Sequence, residues 1–340
     1  MRIVQSVRSD GFAGVEQYVT RLALAQAASG HDVVVVGGEP ERTAAVLDGQ
    51  GVRWLPASTT LEVHRQLRRL RTWDPQIIHA HMTAAETAAL LPRRAWRRAP
   101  VVATRHFASR RGGSRLRSGV FRLFDGLLSE QIAVSAYVAA TAGTQLCVVH
   151  PGIDERPEPV AARAPTVLLA QRLEPEKESA VALRGFASSG LAAAGWRLLI
   201  AGSGSEEPDL RRLADRLDIA GSTSFLGHRG DIARLLDESS ILLSPTRIEG
   251  FGLTALESMA AGLPVVAAAG GGHLETVGAV TPDLLFPPGD HVRAGNLLSA
   301  LATDAERRAR CGAALRDVQR TRFSTAQMVR RIDEIYARVV

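Results

Sequence analysis

Residues 247–275 read RIEGFGLTALESMAAGLPVVAAAGGGHLE, which parses as a turn, a helix, a strand and a glycine-rich loop. The apolar run at 241–243 just before it is typical of a short buried strand. Apolar spacing predicts a helix over 253–260, and a further strand follows at 265–267. Between the first strand and the helix, residues 249–252 carry two glycines, where backbone can approach a ligand closely. The stretch therefore predicts a parallel sheet with a ligand-binding loop at a strand end.

A helix that begins directly after a buried strand presents its backbone N–H groups, and the positive end of its dipole, at the mouth of the sheet. Anions bind there. The carboxylates of Glu249 and Glu257 do not suit an anion, because an ionised carboxylate only accepts hydrogen bonds; they suit hydroxyl groups. The alternative interpretation is ordinary helix capping and surface charge, which explains many glutamates near helix starts.

The pattern E-G-F-G-L-T-x-L-E-x-M-A-x-G-x-P-V-V closely resembles a signature of retaining GT-B glycosyltransferases of the glycosyltransferase 4 (group 1) family, in which two glutamates are separated by seven residues. The resemblance implies an α/β fold with two Rossmann-like domains facing across a cleft and a C-terminal helix that crosses back to the N-terminal domain. It places an acceptor-binding domain at 1–154, a linker at 155–165, a nucleotide-sugar-binding domain at 166–324 and the returning helix at 325–340. Strand patterns that alternate with helical ones in both halves independently predict parallel sheets.

In the N-terminal half, the candidates for function are polar residues at strand ends, where ligands bind in such sheets. Gly14, in a G-x-E sequence that opens the first predicted helix, resembles the family's first loop. His79 and His81 resemble its H-x-H strand end; no third ligand lies at metal spacing, so we expect hydrogen bonding there. His106 matches the position at which the family carries a histidine facing the donor sugar.

In the C-terminal half, the run R-L-x-x-x-K at Arg172–Lys177 resembles the family segment whose two cations grip a diphosphate. Such cations can converge on one anion across a turn. Lys177 is the only lysine beside 40 arginines, which suggests a need for a compact ammonium, although chance also explains one residue. Gly202 and Gly227 close two further predicted strands. A dinucleotide-dependent dehydrogenase is excluded because Glu207 stands where the third glycine of G-x-G-x-x-G is required.

The resemblance implies specific roles. Arg172 and Lys177 would neutralise the departing diphosphate, Glu249 would hold the sugar, and His106 would contact its hydroxyl face. Glu257 would bind the ribose hydroxyls. The other residues expected at the donor are Gly14, Gly202, Gly227, Gly250, Phe251, Gly252 and Leu253. We expect neither a metal, since no D-x-D motif is present, nor a cofactor beyond the co-substrate.

The predicted function is hexosyl transfer, with retention, from a UDP-sugar to a hydroxyl of an acceptor that the sequence does not identify; lipid-linked and natural-product compounds are the candidates, and GDP is the alternative nucleotide. Two rivals stay open. One is a GT-B nucleotide-sugar epimerase, which would release sugar without an acceptor. The other is a non-catalytic partner subunit, which the presence of Arg172, Lys177, Glu249 and Glu257 disfavours.

Charge is distributed unevenly along the chain. Residues 1–150 hold 19 arginines against 11 acidic residues, a net of +8, whereas residues 151–340 carry a net of −2. Solvated helix faces explain such clusters; attraction to an anionic membrane or an acidic acceptor is the functional alternative. No aromatic interleaving supports nucleic-acid binding. The arginine clusters are Arg65, Arg68, Arg69 and Arg71, then Arg93, Arg94, Arg97 and Arg98, then Arg110, Arg111, Arg115 and Arg117.

The sequence opens directly into a strand pattern and has no apolar run of spanning length. We therefore expect a cytoplasmic protein, with peripheral contact at the inner membrane face as the alternative. Residues 107–120 are rich in Gly, Ser and Arg, and are expected to form a loop near the acceptor.

Overall fold

The computed structural model describes residues 1–9, 11–90, 99–108, 125–142, 146–158 and 162–340. These residues divide into two compact units, Met1–Gly152 with Thr325–Val340, and Ile153–Ser324. The first unit thus ends at Gly152 rather than at the expected residue 154. Of the predicted loop at 107–120, only Phe107 and Ala108 lie within the described residues, and the arginine clusters at 93–98 and 110–117 lie outside them.

The first unit is built on a seven-stranded parallel sheet in the order β3-β2-β1-β4-β5-β6-β7. Its central strands are continuous apolar runs because helices cover both faces of a parallel sheet; the four valines at 33–36 are fully buried. The strands are β1 (Arg2–Val7), β2 (Asp32–Val36), β3 (Arg53–Leu55), β4 (Ile77–His81), β5 (Val101–Arg105), β6 (Glu130–Ala133) and β7 (Cys147–Val148).

The described helices of this unit include the C-terminal one. Its buried residues, among them Met328, Ile332, Ile335 and Tyr336, recur at helical spacing and belong to the same apolar core as β1 and α1. The predicted return of the C-terminal helix to the N-terminal domain is therefore confirmed. The helices are α1 (Gly14–Ala28), α2 (Pro40–Leu47), α3 (Thr60–Arg69), α4 (Met82–Leu90), α5 (Ala136–Ala142) and, after the second unit, α12 (Thr325–Val339).

The second unit repeats the design with a six-stranded parallel sheet in the order β10-β9-β8-β11-β12-β13. Its strands are β8 (Thr166–Ala170), β9 (Arg197–Ala201), β10 (Thr223–Gly227), β11 (Ile241–Ser244), β12 (Val265–Ala268) and β13 (Leu285–Phe286). Its helices are α6 (Ser179–Ser188), α7 (Glu207–Arg216), α8 (Ile232–Glu238), α9 (Leu253–Ala260), α10 (His291–Thr303) and α11 (Ala305–Arg322). The strand and helix predicted within 247–275 are both present.

In each unit the strand order reverses once, between β1 and β4 and between β8 and β11. The loops that leave neighbouring strands at such a reversal run to opposite sides, which opens a crevice beyond the carboxyl ends of the strands. Within the described parts of the chain, no helix is both long and apolar enough to cross a membrane.

Candidate functional site

The reversal in the second sheet brings together the loops that follow β8 and β11. Lys177 lies in the first loop and Glu249 in the second, and Lys177 Nζ is 2.7 Å from Glu249 Oε2. Both side chains are about four-fifths buried, with 20% and 21% of their surface exposed. Shielding of this kind makes the pair stronger than an ordinary surface ion pair. Two residues that were predicted for different parts of the ligand are thus direct partners in this structure.

A second ion pair joins the same two loops, and sequence reasoning missed it. Arg247 donates to Glu178 from its backbone nitrogen at 3.0 Å and from Nε at 2.7 Å, and Nη2 also contacts the carboxylate. Glu178 has a φ of 53°, a left-handed conformation that is uncommon for residues other than glycine. Backbone strain of this kind persists when its surroundings over-determine it, and here it lies directly beside Lys177.

Gln171 also connects the two loops. Its amide nitrogen donates to the carbonyl of Lys177 at 2.8 Å and to Ser179 Oγ at 3.0 Å, and its Oε1 accepts from Thr246 Oγ1 at 3.2 Å. The backbone that carries Lys177 is therefore held from both sides. The sequence offers one signal for Gln171, its position as the first residue after a buried strand.

Arg172 behaves differently from Lys177. Its side chain is 58% exposed, and Nη2 donates to Glu176 Oε1 at 2.8 Å. In this structure the two cations therefore bond to different carboxylates, and their convergence on one anion stays a prediction. Because an exposed ion pair contributes little free energy, Arg172 can leave Glu176 at small cost.

The three glycines at 270–272 let two stretches of backbone lie against each other. A Cβ atom at Gly271 would lie 2.2 Å from the carbonyl oxygen of Glu249, and one at Gly272 would lie 2.3 Å from Phe251 Cα. The nitrogen of Gly272 donates to the same Glu249 carbonyl at 2.9 Å. Because glycine has no side chain, these residues allow the close approach that holds the loop carrying Glu249 in place.

The start of α9 rests on a buried histidine, a second residue that was not predicted. Gly252, with φ of 90°, precedes the helix, and a Cβ atom there would lie 3.3 Å from His273 Nε2. His273 donates from Nδ1 to the Ala268 carbonyl at 3.2 Å, so Nε2 accepts from Ser244 Oγ at 3.1 Å. Burial lowers the pKa of His273, which keeps the ring neutral. The neutral ring of His273 packs against the turn at Gly252.

The other donor-site candidates on this loop and helix differ in exposure. The ring of Phe251 is 3% exposed and packs edge-on against Phe323, with centroids 5.5 Å apart. It therefore offers a ligand only its backbone. Gly250, Leu253 and Glu257 are partly exposed, and Glu257 lies one turn into α9.

Gly202 and Gly227 meet at the ends of β9 and β10. The nitrogen of Gly202 donates to the carbonyl of Gly227 at 2.8 Å. Gly202 has φ of 151°, and a Cβ atom there would lie 1.8 Å from the carbonyl oxygen of Gln171. Only glycine allows this approach, which places the β9 end against the loop that carries Lys177.

The histidine candidates in the first unit lie at the ends of β4 and β5. His79 bonds to Tyr336 Oη and Thr104 Oγ1, each at 2.6 Å, and His81 bonds to Gln5 Oε1 at 2.7 Å. The predicted hydrogen-bonding role of the H-x-H pair is confirmed. Across the described ranges no cluster of three or more His, Cys, Asp or Glu side chains could hold a metal ion.

His106 joins this cluster. Its Nε2 lies 3.1 Å from His81 Nδ1, and its ring stands edge-on to Tyr18 with centroids 4.9 Å apart. Burial lowers the pKa of His79 and of His106 to about 3 and that of His81 well below its ordinary value, so all three rings are neutral at physiological pH. Gly14 lies apart from the cluster, as the first, partly exposed residue of α1, where Glu16 caps the helix by accepting from the nitrogen of Ala13 at 2.8 Å.

Each of the two units matches a family model. Residues 12–156 match the family model "Glycosyltransferase Family 4", and residues 153–318 match "Glycosyl transferases group 1". The chain is 28% identical over 317 residues to glycogen synthase of Mycobacterium tuberculosis, covering 78% of this chain and 76% of that one. It is 39% identical over 144 residues to the D-inositol 3-phosphate glycosyltransferase of Mycobacterium bovis, covering 37% and 29%.

Among solved structures, HepE of Anabaena in complex with UDP and glucose superposes with a TM-score of 0.84 at 20% identity, covering 99% of this chain and 100% of that one. This likeness establishes the fold, which is GT-B as predicted. Together, the two family models span the chain from residue 12 to residue 318, including every site residue predicted from the sequence. The chain belongs to the group 1 glycosyltransferases, with a family 4 domain in its N-terminal half.

Proposed function

We propose that this glycosyltransferase moves a hexose, with retention of anomeric configuration, from a UDP-sugar to a hydroxyl of its acceptor without a metal ion. The observation that carries the proposal is the Lys177–Glu249 ion pair at the β8/β11 reversal. It places one cation and one carboxylate together where α/β sheets bind ligands. The complex of HepE with UDP and glucose supports UDP as the nucleotide, and GDP is the alternative.

Lys177 can donate a hydrogen bond to the diphosphate and keep its hydrogen bond to Glu249. An ammonium has three donors, and one of them holds the carboxylate in this structure. A phosphate oxygen beside Nζ would take a second donor in a charge-assisted bond. The exposed Arg172 would swing from Glu176 to the same group, and the N–H groups at the start of α9 would add their dipole.

In the proposed reaction the bond between the anomeric carbon and the β-phosphate oxygen breaks, and its electron pair leaves with the nucleotide. Lys177 and Arg172 stabilise that charge, which is the work of a preorganised electrostatic site. The acceptor hydroxyl attacks the same face of the sugar and loses its proton to the departing phosphate. Glu249 and His106 hold sugar hydroxyls, and Glu257 holds the ribose; no cofactor is needed.

Thermal stabilisation by UDP-, GDP-, ADP- and dTDP-glucose, each with and without EDTA, tests the donor. We expect one nucleotide to raise the melting temperature, equally with and without chelator. A Lys177→Ala variant should lose most of that shift. No shift with any of the four would contradict the proposal, and a shift abolished by EDTA would contradict metal independence.

Product analysis separates transfer from the epimerase alternative. Incubation of the stabilising donor without any acceptor, followed by NMR of the sugar, should show intact donor. Rapid release of an epimerised free sugar would overturn the transferase assignment. With an accepted hydroxyl compound, the first product formed should keep the anomeric configuration of the donor; an inverted product would overturn retention.

We further propose that an anionic surface attracts α3. Arg65, Arg68 and Arg69 are exposed on this helix, and Arg71 is exposed just beyond it. Arginines near an anionic bilayer contribute roughly 1 kcal/mol each. Flotation with vesicles of phosphatidylglycerol and phosphatidylcholine at low salt should recover the protein, and Arg65, Arg68 and Arg69→Ala together should abolish recovery. No flotation at low salt would contradict an attraction to membranes.

A further inference from the structure

Side chains in the first unit form an unbroken chain of hydrogen bonds from α12 to the end of β5. Gln26 Nε2 lies 3.4 Å from Asp333 Oδ1, and Gln26 Oε1 accepts from Gln5 Nε2 at 2.7 Å. Gln5 Oε1 lies 2.7 Å from His81 Nε2, and His81 Nδ1 lies 3.1 Å from His106 Nε2. Gln5, Gln26 and His81 are fully buried, whereas His106 is partly accessible.

The polarity of this chain follows from its first member. A carboxylate only accepts hydrogen bonds, so Gln26 must turn its NH₂ group toward Asp333 and its oxygen toward Gln5. Gln5 must then donate to Gln26, which turns its own oxygen toward His81. An amide oxygen only accepts, so the proton at this contact belongs to His81 Nε2. Amide orientations and histidine tautomers are assigned from such networks.

The order of donors and acceptors extends from His81 to His106. Neither ring faces a carboxylate in any described contact, and burial lowers the pKa of His81 well below its ordinary value. Each ring therefore carries one proton. With its proton on Nε2, His81 has a lone pair on Nδ1 and can only accept there. His106 must donate from Nε2, which leaves its Nδ1 as an unprotonated acceptor.

A branch of the network supports the same orientation of Gln5. Its second N–H donates to Tyr336 Oη at 3.2 Å, so the hydroxyl proton of Tyr336 is free to go to His79 Nδ1 at 2.6 Å. His79 Nε2–H then donates to Thr104 Oγ1. Reversing the Gln5 amide would set its oxygen against the oxygen of Gln26. Buried networks with such conflicts are costly, so one orientation is held.

We propose that Asp333, Gln26, Gln5 and His81 fix His106 in the tautomer with its proton on Nε2, so that Nδ1 accepts a hydrogen bond from a substrate hydroxyl. His106 is then the contacting residue, and the four others are positioning residues. The identity of the hydroxyl-bearing ligand rests on the proposed function; the tautomer does not. A bare Nδ1 selects a hydrogen-bond donor and repels acceptor-only groups such as carboxylate or phosphate oxygens.

The tautomer is measurable in the protein without ligand. Long-range ¹H–¹⁵N correlation spectra of protein labelled at histidine separate protonated from unprotonated ring nitrogens. At pH 7.5 we expect His106 to show a protonated Nε2 and an unprotonated Nδ1, with resonances assigned through a His106→Asn variant. A protonated Nδ1, or a doubly protonated ring, would overturn the inference.

A matched pair of variants tests the positioning chain. Gln5→Met removes the oxygen that fixes His81, so a population of His106 with protonated Nδ1 should appear. Tyr336→Phe removes a hydroxyl that also contacts Gln5 but lies off the path to His106, and should leave the tautomer unchanged. A single unchanged tautomer in Gln5→Met would refute the chain; if that variant does not fold, the spectrum of the natural protein still decides the tautomer.

The predicted contact between His106 Nδ1 and a hydroxyl of the ligand is tested by the ring resonances of His106. UDP-glucose, where it raises the melting temperature, should shift the His106 Nδ1 resonance toward the protonated range and leave His79 in place. Stabilisation without a shift at Nδ1 would overturn the hydroxyl contact while the nucleotide-sugar function stands. Failure of all four nucleotide sugars to bind would overturn that function and the hydroxyl contact, whereas the tautomer is decided by the spectrum without ligand.

Discussion

Lys177 and Glu249 are 72 positions apart in the sequence, and their charged atoms lie 2.7 Å apart in the structure. The contact exists because β8 and β11 are neighbours in the second sheet, although two further strands separate them along the chain. A second ion pair, between Glu178 and Arg247, joins the same two loops. In this pair the first loop supplies the carboxylate and the second loop supplies the cation. The two ion pairs therefore hold the two loops together and fix the position of the Lys177 ammonium group.

Removing the cation tests its role. Lys177→Ala should lower kcat/KM by a factor that corresponds to about 2–4 kcal/mol of transition-state stabilisation, the usual loss when one preorganised donor is removed. Initial rates with the donor found by thermal stabilisation measure it. Arg293→Ala, an exposed helical cation on α10, is the matched control and should be neutral. Near-normal turnover of Lys177→Ala would refute the assignment.

The two glutamates of the signature should separate by function. Glu249→Ala should abolish transfer and leave nucleotide binding largely intact, because it frees Lys177 from its partner instead of removing it. Glu257→Ala should weaken nucleotide binding if its carboxylate accepts from the ribose. Calorimetric titration with UDP compares the two variants. Equal loss of affinity in both would show that this division of labour is wrong.

The glycine loop gives a prediction with an internal control. Gly271 and Gly195 both have positive φ, 54° and 80°, so alanine costs backbone strain of roughly 1 kcal/mol at either site. Only at Gly271 would Cβ meet backbone, the Glu249 carbonyl at 2.2 Å. We expect Gly271→Ala to lose about 1–3 kcal/mol more in the free energy of unfolding, and to weaken UDP binding. Equal losses would show that the loops can separate freely.

The histidine cluster makes stability depend on pH. The pKa of His79 and of His106 is lowered to about 3 in the folded chain, against about 6.5 when unfolded. The unfolded chain therefore binds more protons below pH 6.5. Stability is fully present above that pH and falls toward pH 3, by up to about 1.4 kcal/mol per pH unit for each histidine.

Urea denaturation at pH 7.5 and pH 5.5 measures this slope in a window above the range of ordinary carboxylates. His106→Gln should reduce the dependence of the unfolding free energy on pH by up to the contribution of one proton. A protein equally stable at both pH values would mean that the cluster accepts protons while folded.

Local patterns were sufficient for much of the architecture. The buried strands Val33–Val36 and Ile241–Leu243 and the helix that starts at Leu253 were all predicted, because continuous apolar runs and helical apolar spacing report burial directly. The return of the C-terminal helix came from family resemblance. The end of the first unit at Gly152 was not predicted to the residue. A boundary between units depends on the tertiary contacts that the chain makes on either side of it.

The residues that position the site were harder to find. Gln171, Glu178 and His273 carry no motif of their own, and each acts by contacting residues distant in sequence. The acid–base state of His106 was equally invisible, because it depends on Gln5, Gln26 and Asp333, which lie in three different elements.

The sequence by itself determined the kind of protein: apolar periodicity specifies two parallel sheets, and the spaced glycines and glutamates of 247–275 specify a loop that receives a ligand. Tertiary structure decided the partners. The order of the strands in the sheet, a long-range property, brought Lys177 into an ion pair with Glu249 and Arg247 into an ion pair with Glu178. Hydrogen-bond direction along a buried chain fixed which nitrogen of His106 is bare, because a donor or acceptor role exists only relative to a neighbour in space.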